Sequence, residues 1–356
     1  MRILLTGASG FLGQEVYHRL KEAKHKVYGM SRNGPDVIGD ITVPDLKLKK
    51  PPKNLDMVIH CAAYLSFSPH QSKKLYEVNS RGTSNVCTFC QDNNVGRLVY
   101  ISTAYVCGDF KGEWTEQDFY RGQKFKNPYE ESKFWGESYV RESSRNLLGV
   151  FSPLKVTIFR PGVIMGSSVD GKATAFEGFY APIRAMVKVM NLFERKLGFP
   201  KRERLEELFH LPKLHLPIAI KGDPNSTLNI VPVDWVAQKI VDLMCEEGTF
   251  HLTNPQPPTN SQVCEAICEA LGITGPHLDR RARLLQPHDK IYNRLVKDFS
   301  PYLWNEPRFA SSVNSSFTLT GDYKGYIIKA VNYWRRMEEE NGSTRATKGH
   351  NPKRPQ

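Results

Sequence analysis

The sequence predicts an α/β fold, a doubly wound parallel sheet with a smaller C-terminal lobe. Two observations predict it. Apolar strand-like runs alternate with helix-patterned segments as far as about residue 166, the order of a parallel sheet with helices on both faces. The first run ends in a glycine-rich turn that opens directly into a helix-patterned segment. Sheets of this kind bind ligands beyond the carboxyl ends of their strands.

The first strand, turn and helix together predict a phosphate-binding site. The turn TGASGFLG follows the strand and precedes the helix-patterned stretch 14–23. Gly7 allows a tight turn, Gly10 lets backbone approach a pyrophosphate, and Gly13 lets the helix pack close to the strand. The helix N-terminus adds unpaired N–H groups and a positive dipole end. We interpret the stretch as a dinucleotide site of the Rossmann type, with an ordinary structural turn as the alternative.

The residues that follow the second predicted strand, 25–30, are the ones that distinguish NAD from NADP in a site of this type. An acidic side chain there would accept hydrogen bonds from the adenosine ribose, but Ser31 and Arg32 stand there and can hold a 2′-phosphate. NADP is therefore favoured over NAD. The alternative is that Arg32 faces solvent and that the ribose contact lies elsewhere. We also expect a side-chain contact from Asp40 to the adenine amino group.

Two further buried strands, 56–60 and 97–102, end at the same edge of the sheet. Small residues at 61–63 suit a backbone lying against the cofactor and suit simple close packing equally well. Between these strands the pattern predicts a helix over 75–94. It contains Asn79, with a glycine three residues later. Each weakens a helix, so the pair hints at a kink or a bound water.

The helix predicted over 127–144 carries Tyr129 and Lys133. At a spacing of four residues, these two side chains share one face of the helix and lie about one turn apart. An ammonium beside a phenol lowers the pKa of the phenol and favours proton transfer near neutral pH. Such pairs also occur by chance on solvated helices, so the spacing alone leaves both interpretations open.

The regular alternation ends after a strand over 154–160. Residues 167–222 are rich in aromatic, Met and basic residues, with a helical stretch around 181–197 and a charged one around 202–210. A strand over 228–234 returns to the character of the core and is followed by a helix over 235–246 and a strand over 249–253. The patterns further predict a helix over 261–271 and a last helix over 322–340. The predicted division is a dinucleotide-binding core at 1–166 with 224–255 returning to it, a substrate-binding lobe at 167–223 and 256–340, and a disordered basic tail at 341–356.

Composition and charge limit the classes of partner. A net charge of +12 suits an acidic ligand such as a phosphorylated cofactor or a carrier-bound substrate. The basic residues are dispersed and no nucleic-acid motif is visible, so no nucleic-acid partner is expected.

The seven cysteines are an odd number. The pairs Cys87/Cys90 and Cys264/Cys268 fall on helical patterns, and we interpret them as buried small residues rather than zinc or redox sites; no metal site is predicted. The first strand begins at residue 2 and no apolar run approaches the roughly 18 residues of a membrane span. We therefore expect a cytoplasmic protein with no leader and no transmembrane segment.

Taken together, the motifs resemble those of a known superfamily. In chain order they are TGASGFLG, HCAAY, VNSRGT, STAYVCG, YEESK and RPGVIMG. This series is similar to that of the extended short-chain dehydrogenase/reductase superfamily, and the match covers roughly residues 1–255. STAYVCG, HCAAYLSFS, VTIFRPGVIMGSSVDGKATAFEGFYAP and LNIVPVDWVA further resemble the thioester reductase and fatty acyl-CoA reductase branch.

The resemblance implies a role for each matching residue. Tyr129 would be the proton donor, and Lys133 would bind the nicotinamide ribose and lower the tyrosine pKa. Thr103 would bind the substrate carbonyl oxygen, and Asn79 would support the proton relay. The implied cofactor contacts are Gly7, Ser9, Gly10, Phe11, Leu12 and Gly13 to the pyrophosphate, Ser31 and Arg32 to the 2′-phosphate, Asp40 and Ile41 to the adenine, Ala62 and Ala63 to the middle of the cofactor, and Pro161, Gly162 and Val163 to the nicotinamide.

The activity that the resemblance implies is NADPH-dependent reduction of a carbonyl, above all of an acyl thioester, to an aldehyde or alcohol. The insert 167–222 would supply an apolar acyl channel, or would only form the core of the lobe. The alternatives are a nucleotide-sugar epimerase or dehydratase, a lipid or steroid alcohol dehydrogenase, and a non-catalytic NADP-binding sensor. Arg32, in place of an acid, argues against the epimerase. A homodimer through the helices bearing Asn79 and Tyr129 is a further expectation from the family.

Overall fold

A computed structural model of the chain describes residues 1–48, 50–145, 154–196, 214–304, 307–313, 317 and 322–348. The strands are β1 Arg2–Thr6, β2 Lys26–Ser31, β3 Val37–Ile38, β4 Met57–His60, β5 Arg97–Ile101, β6 Glu113–Trp114, β7 Lys155–Pro161, β8 Val163–Met165, β9 Leu214–His215, β10 Ala219–Lys221, β11 Ile230–Pro232, β12 Gly248–Leu252, β13 Ile273–Thr274, β14 His277–Asp279 and β15 Arg308–Phe309. The helices are α1 Phe11–Glu22, α2 Ser72–Leu75, α3 Gly82–Asp92, α4 Pro128–Arg145, α5 Tyr180–Lys196, α6 Val233–Leu243, α7 Asn260–Leu271, α8 Pro287–Leu295 and α9 Tyr323–Lys348.

Seven strands form one parallel sheet in the order β12-β7-β5-β4-β1-β2-β3. The chain runs outwards from β1 to β3, then crosses back to place β4 on the other side of β1. This reversal of direction opens a crevice at the carboxyl ends of β1 and β4, where α/β sheets bind their ligands. The predicted fold class is confirmed.

Helices cover both faces of the sheet because its strands are apolar on both faces. Ile3 and Leu5 pack on one face with α1 and α6, while Leu4 packs on the other with α3 and α4. Successive strand residues point to opposite faces, so an uninterrupted apolar run is what a sheet buried on both sides requires.

The lobe is built from α5, α7, α8 and α9, which pack around the largest apolar cluster of the described residues. Helix α8 and the parallel pair of β10 with β14 lie where the sequence predicted no element. The predicted strand around 228–234 is shorter than expected, and as β11 it pairs with β8 rather than with the main sheet. The charged stretch 202–210, for which helical character was noted, lies outside the described residues.

Two helices differ from the sequence prediction. The helix predicted over 75–94 is interrupted by a π-helical turn, Tyr76–Arg81, which contains Asn79. The last helix continues to Lys348 instead of ending at Glu340, so the predicted disorder from residue 341 differs from the structure over 341–348. Among the described helices, none combines the length and the apolar character needed to cross a bilayer.

Candidate active site

The carboxyl ends of the strands open on two adjoining pockets. We call the first the dinucleotide groove; its lining includes Gly7, Ser9, Gly10, Ser31, Arg32, Asp40, Ile41, Ala62 and Ala63. We call the second the reaction cleft; its lining includes Gly10, Phe11, Leu12, Ala63, Thr103, Tyr129, Lys133, Pro161, Gly162 and Val163. The structure thus brings together all the residues predicted for the site except Gly13 and Asn79, which are buried behind these surfaces.

The glycine turn leaves no room for side chains at two of its positions. Gly7 has a φ of 72°, and a Cβ there would lie 2.6 Å from the backbone nitrogen of Ala62. A Cβ at Gly13 would lie 2.0 Å from the carbonyl oxygen of Gly7, so α1 can approach the turn this closely only with glycine. Gly10 is the N-cap of α1 and gives it no side-chain cap, which leaves the helix N-terminus facing the groove. These features fit a dinucleotide pyrophosphate.

The far end of the groove carries a cation beside an anion. Ser31 ends β2, and the exposed Arg32 follows it. The carboxylate of Asp40 accepts hydrogen bonds from the backbone nitrogen and the hydroxyl of Thr42, at 3.0 and 2.8 Å. The pKa of Asp40 is lowered mainly by the hydrogen bond from the backbone nitrogen of Thr42, and the positive charge of Arg32 lowers it further. Asp40 is therefore ionised, with a guanidinium close enough to affect it.

Lys133 lies on the inner face of α4 and is almost wholly buried. Its ammonium donates a hydrogen bond to the carbonyl oxygen of Ile101 at 2.7 Å and lies 4.2 Å from the centre of the Tyr100 ring. Burial lowers the pKa of Lys133 to about 7, although the carboxylate of Glu137 opposes this effect. The side chain therefore reaches the end of β5, beneath the reaction cleft.

The pKa of Tyr129 differs from the sequence expectation. Lys133 was expected to lower it, but burial raises the pKa of this phenol, and the neighbouring carboxyl of Glu130 raises it further. The physical reason is that phenolate loses hydration in the cleft, while the Lys133 ammonium is hydrogen-bonded to Ile101. As arranged here, Tyr129 keeps its proton at neutral pH.

Thr103 lies just past the end of β5 and begins the short turn Ala104–Cys107. Its hydroxyl oxygen accepts a hydrogen bond from the backbone nitrogen of Tyr105 at 3.3 Å. A hydroxyl that accepts through one lone pair still has its own hydrogen to donate. Thr103 can therefore donate to an oxygen atom in the cleft.

Asn79 holds the wall of the cleft in place. Its side-chain oxygen accepts from the backbone nitrogen of Tyr64 at 2.7 Å, and its side-chain nitrogen donates to the Tyr64 carbonyl and to the Ser132 hydroxyl, both at 2.9 Å. These bonds join the loop after β4 to α4. The amide is thus engaged in positioning both, and the predicted part of Asn79 in a proton relay stays a prediction.

An aromatic wall and a buried carboxyl lie beside Tyr129, and neither was predicted from the sequence. Tyr302, from the lobe, packs against Phe67 and Tyr105 with ring centres 5.1 Å apart in each case. Its hydroxyl donates to the buried carboxylate of Glu130 at 2.8 Å. Glu130 was visible in the YEESK motif, but no local pattern indicates a partner 172 residues away along the chain.

A buried ion pair supports the site from below. Arg160 binds Glu137 through two hydrogen bonds, at 2.7 and 3.1 Å, and the Ser102 hydroxyl donates to the same carboxylate at 2.7 Å. Burial raises the pKa of Glu137, but the two arginines Arg160 and Arg141 outweigh it and hold the value at about 2. Ser102 and Arg160 each precede a cleft residue, so this pair ties together the ends of β5 and β7.

Comparisons with known proteins agree on the family and the fold. A model of NAD-binding proteins described as male sterility protein matches residues 36–240, more than half of the chain. A 2-alkyl-3-oxoalkanoate reductase of Stenotrophomonas maltophilia (strain K279a) is 29% identical over 179 residues, which cover 46% of this chain and 52% of the reductase. This chain therefore spans about half the length of that relative.

Two solved structures share the architecture over nearly the whole chain. The thiolation-reductase di-domain of an archaeal non-ribosomal peptide synthetase has a TM-score of 0.66 at 20% identity, over 95% of this chain and 91% of that chain. MoeE5 in complex with UDP-glucose and NAD has a TM-score of 0.65 at 19% identity, over 95% of this chain and 100% of that chain. At such identities the similarity shows the fold alone.

Proposed function

Because this chain belongs to the male sterility protein family, we propose that it is an NADPH-dependent reductase of acyl thioesters. The family match confirms the resemblance to the extended short-chain dehydrogenase/reductase superfamily. The observation that carries the proposal is the meeting of Thr103, Tyr129 and Lys133 in one cleft whose outer wall is aromatic. The finer assignments, namely the substrate, the preference for NADPH and the individual residue roles, are part of this proposal.

The dinucleotide groove supports NADP more than NAD. Arg32 supplies a guanidinium, which can bind a 2′-phosphate with two parallel hydrogen bonds. Lys73 and Lys74 also line this groove and add positive charge to it. Asp40 and Ile41 would contact the adenine, while the glycine turn would hold the pyrophosphate. The bound cofactor would supply a hydride to the substrate.

The residues of the reaction cleft suit the charge that then develops on the carbonyl oxygen. Thr103 would donate a hydrogen bond to this oxygen, and Tyr129 would transfer its proton to it. Lys133, whose ammonium is held at the end of β5 beneath the cleft, would bind the nicotinamide ribose. With a thioester this step gives a hemithioacetal, whose hydroxyl proton passes to sulfur as the carbon–sulfur bond breaks, so that a thiol leaves and an aldehyde remains.

The wall of the cleft favours an apolar acyl group over a sugar. Phe67, Phe179, Phe299 and Leu65 contribute to its lining. Apolar and aromatic side chains of this kind bury hydrocarbon favourably, at about 25 cal/mol per Å². A nucleotide sugar, with its many hydroxyl groups, would leave most of its hydrogen bonds unmade against such a wall.

The second candidate is the reduction of an alkyl ketone. The specific observation in its favour is the similarity to a 2-alkyl-3-oxoalkanoate reductase. Thr103, Tyr129 and Lys133 would have the same roles, because negative charge also develops on the oxygen of a ketone when hydride is added to its carbon. The two reactions differ in the leaving group, because a ketone has none and gives an alcohol in one step.

The test is NADPH oxidation by the purified protein with acyl-CoAs, fatty aldehydes, 3-oxo acids and ketosteroids, with NADH in parallel. We expect turnover of acyl-CoA with NADPH, and a loss of at least about a hundredfold in Tyr129→Phe from the lost proton donor. Tyr120→Phe is the matched control, since Tyr120 is 70% exposed and does not line the cleft. Turnover of 3-oxo acids alone would select the second candidate. No turnover, together with NAD that copurifies with the protein, would refute both in favour of an epimerase or dehydratase.

A further inference from the structure

A second apolar space lies in the lobe, directly behind the aromatic wall of the reaction cleft. We call it the lobe cavity; side chains of α5, α7, α8 and β10 contribute to its lining. Phe179 and Phe299 line both the lobe cavity and the reaction cleft, so these two rings form the partition between them. The two spaces therefore adjoin at these two rings.

The partition is close to the chemistry. The ring of Phe67 lies 6.1 Å from that of Tyr129 and 6.3 Å from that of Phe299, measured between ring centres. From the tyrosine to the lobe cavity there are thus two aromatic contacts, Tyr129 to Phe67 and Phe67 to Phe299. A hydrocarbon chain that leaves a carbonyl at Tyr129 along these rings reaches Phe299.

The lobe cavity is apolar and small. Met186, Ile220, Val263 and Ile267 contribute to its lining. Asn260 also lines it, but its side-chain nitrogen donates to the carbonyl of Asp223 at 3.2 Å, so the amide is already bonded within the chain. The cavity has a volume of about 40 Å³, and roughly 10–15 Å³ is enough to hold one water molecule. Apolar cavities of this kind stay dry and bind hydrocarbon.

We propose that the lobe cavity binds the methyl end of an aliphatic substrate chain, and that it sets which chain length the protein prefers. This inference rests on the proposed function for the position of the reacting carbonyl, but the binding of a hydrocarbon end does not depend on catalysis. A chain long enough to pass Phe299 buries its last few carbons among Met186, Val263 and Ile267. A short chain ends in the reaction cleft and gains nothing from the lobe cavity.

Two cysteines on α7 offer a matched pair of variants. Cys264 lines the lobe cavity, whereas Cys268, one turn later on the same helix, does not. Both are buried to the same degree, at 8% and 7% exposure. Cys264→Leu fills the lobe cavity, and Cys268→Leu makes the same change at a side chain that contacts Cys264 but does not itself line the cavity. Cys264→Ala leaves more space and serves if the larger side chain impairs folding.

The experiment compares kcat/KM for butanoyl-, octanoyl-, dodecanoyl- and hexadecanoyl-CoA in these proteins. We expect Cys264→Leu to lose about tenfold or more with the long chains while butanoyl-CoA is unaffected, since each buried methylene contributes about fourfold. Cys268→Leu is expected to keep the preference of the wild type, and Cys264→Ala to shift it towards longer chains. Equal losses at every chain length in Cys264→Leu, or the same change of preference in Cys268→Leu, would overturn the proposal.

A binding measurement separates this inference from the proposed reaction. Titration calorimetry with decanoic acid needs no turnover, so it remains informative if no acyl-CoA is reduced. We expect the wild type and Cys268→Leu to bind decanoic acid, and Cys264→Leu to bind it about tenfold more weakly or not at all. No binding by the wild type, or equal binding by both leucine variants, would contradict a chain-binding cavity even if the reductase activity is found.

Discussion

The buried carboxyl of Glu130 gives the protein a pH-dependent stability that one substitution removes. Burial raises the pKa of Glu130 to about 7 from an ordinary value of 4.5, and Asp109 adds to this effect. The ammonium and the backbone of Lys126 and the hydroxyl of Tyr302 act in the opposite direction without cancelling it. Since the folded state holds the proton more tightly, Glu130 favours folding when protonated.

The direction and the size of the change in stability with pH follow from the difference between the pKa values of Glu130 in the folded and the unfolded chain. Below about pH 4.5 both the folded and the unfolded chain carry the proton, so the contribution is present in full. As the pH rises to about 7, the unfolded chain releases the proton while the folded chain keeps it, and stability falls. At about 1.36 kcal/mol for each pH unit between the two pKa values, the loss amounts to about 3 kcal/mol.

The assay is urea unfolding, followed by tryptophan fluorescence from about pH 4.5 to about pH 8. Glu130→Gln cannot ionise, so we expect the wild type to lose about 3 kcal/mol relative to this variant over that range. Glu131→Gln is the control, because Glu131 is the next residue of α4 and is exposed. A difference between wild type and Glu130→Gln that stays constant across the range would refute the reasoning.

Three further predictions concern the cofactor site and the ion pair beneath it. In Gly7→Ala the new Cβ would lie 2.6 Å from the backbone of Ala62 at a φ of 72°, so NADPH should bind at least about tenfold more weakly in a fluorescence titration. An unchanged affinity for NADPH would contradict this role of Gly7. Arg32→Glu places a negative charge where we propose the 2′-phosphate, so the ratio of kcat/KM for NADPH to that for NADH should fall by about tenfold or more, and a constant ratio would remove Arg32 from the site. Glu137→Gln leaves Arg160 buried without its counter-charge, so the free energy of unfolding should fall by about 3–5 kcal/mol in a urea titration. A loss below about 1 kcal/mol would show that the ion pair is dispensable for stability.

The sequence was sufficient for the features that depend on local spacing. The apolar runs predicted the parallel sheet, because strands buried on both faces must be apolar throughout. The glycine turn could be predicted because its constraints act within a few residues, as the φ of Gly7 and the contact between Gly13 and Gly7 show. The pair Tyr129 and Lys133 could be predicted for the same reason, because two residues four apart lie on the same face of a helix.

Other features were visible only in part. The combination of Asn79 with a nearby glycine indicated an irregular helix, but not a π-helical turn, nor the bonds from Asn79 to Tyr64 and Ser132 that accompany it. The pKa of Tyr129 was predicted in the wrong direction, because spacing shows which groups are near and not how much water each has lost.

Tertiary structure alone decided the surroundings of the reacting groups. Tyr302 reaches Glu130 across 172 residues of the chain, and the lobe cavity is lined by α5 together with α7 and α8, which follow much later in the sequence. No periodicity in one segment specifies which distant segment will cover it. Burial, which sets both the charge of Glu130 and the apolar character of the cavity, is a property of the packed molecule, because it depends on every element that excludes water from the site.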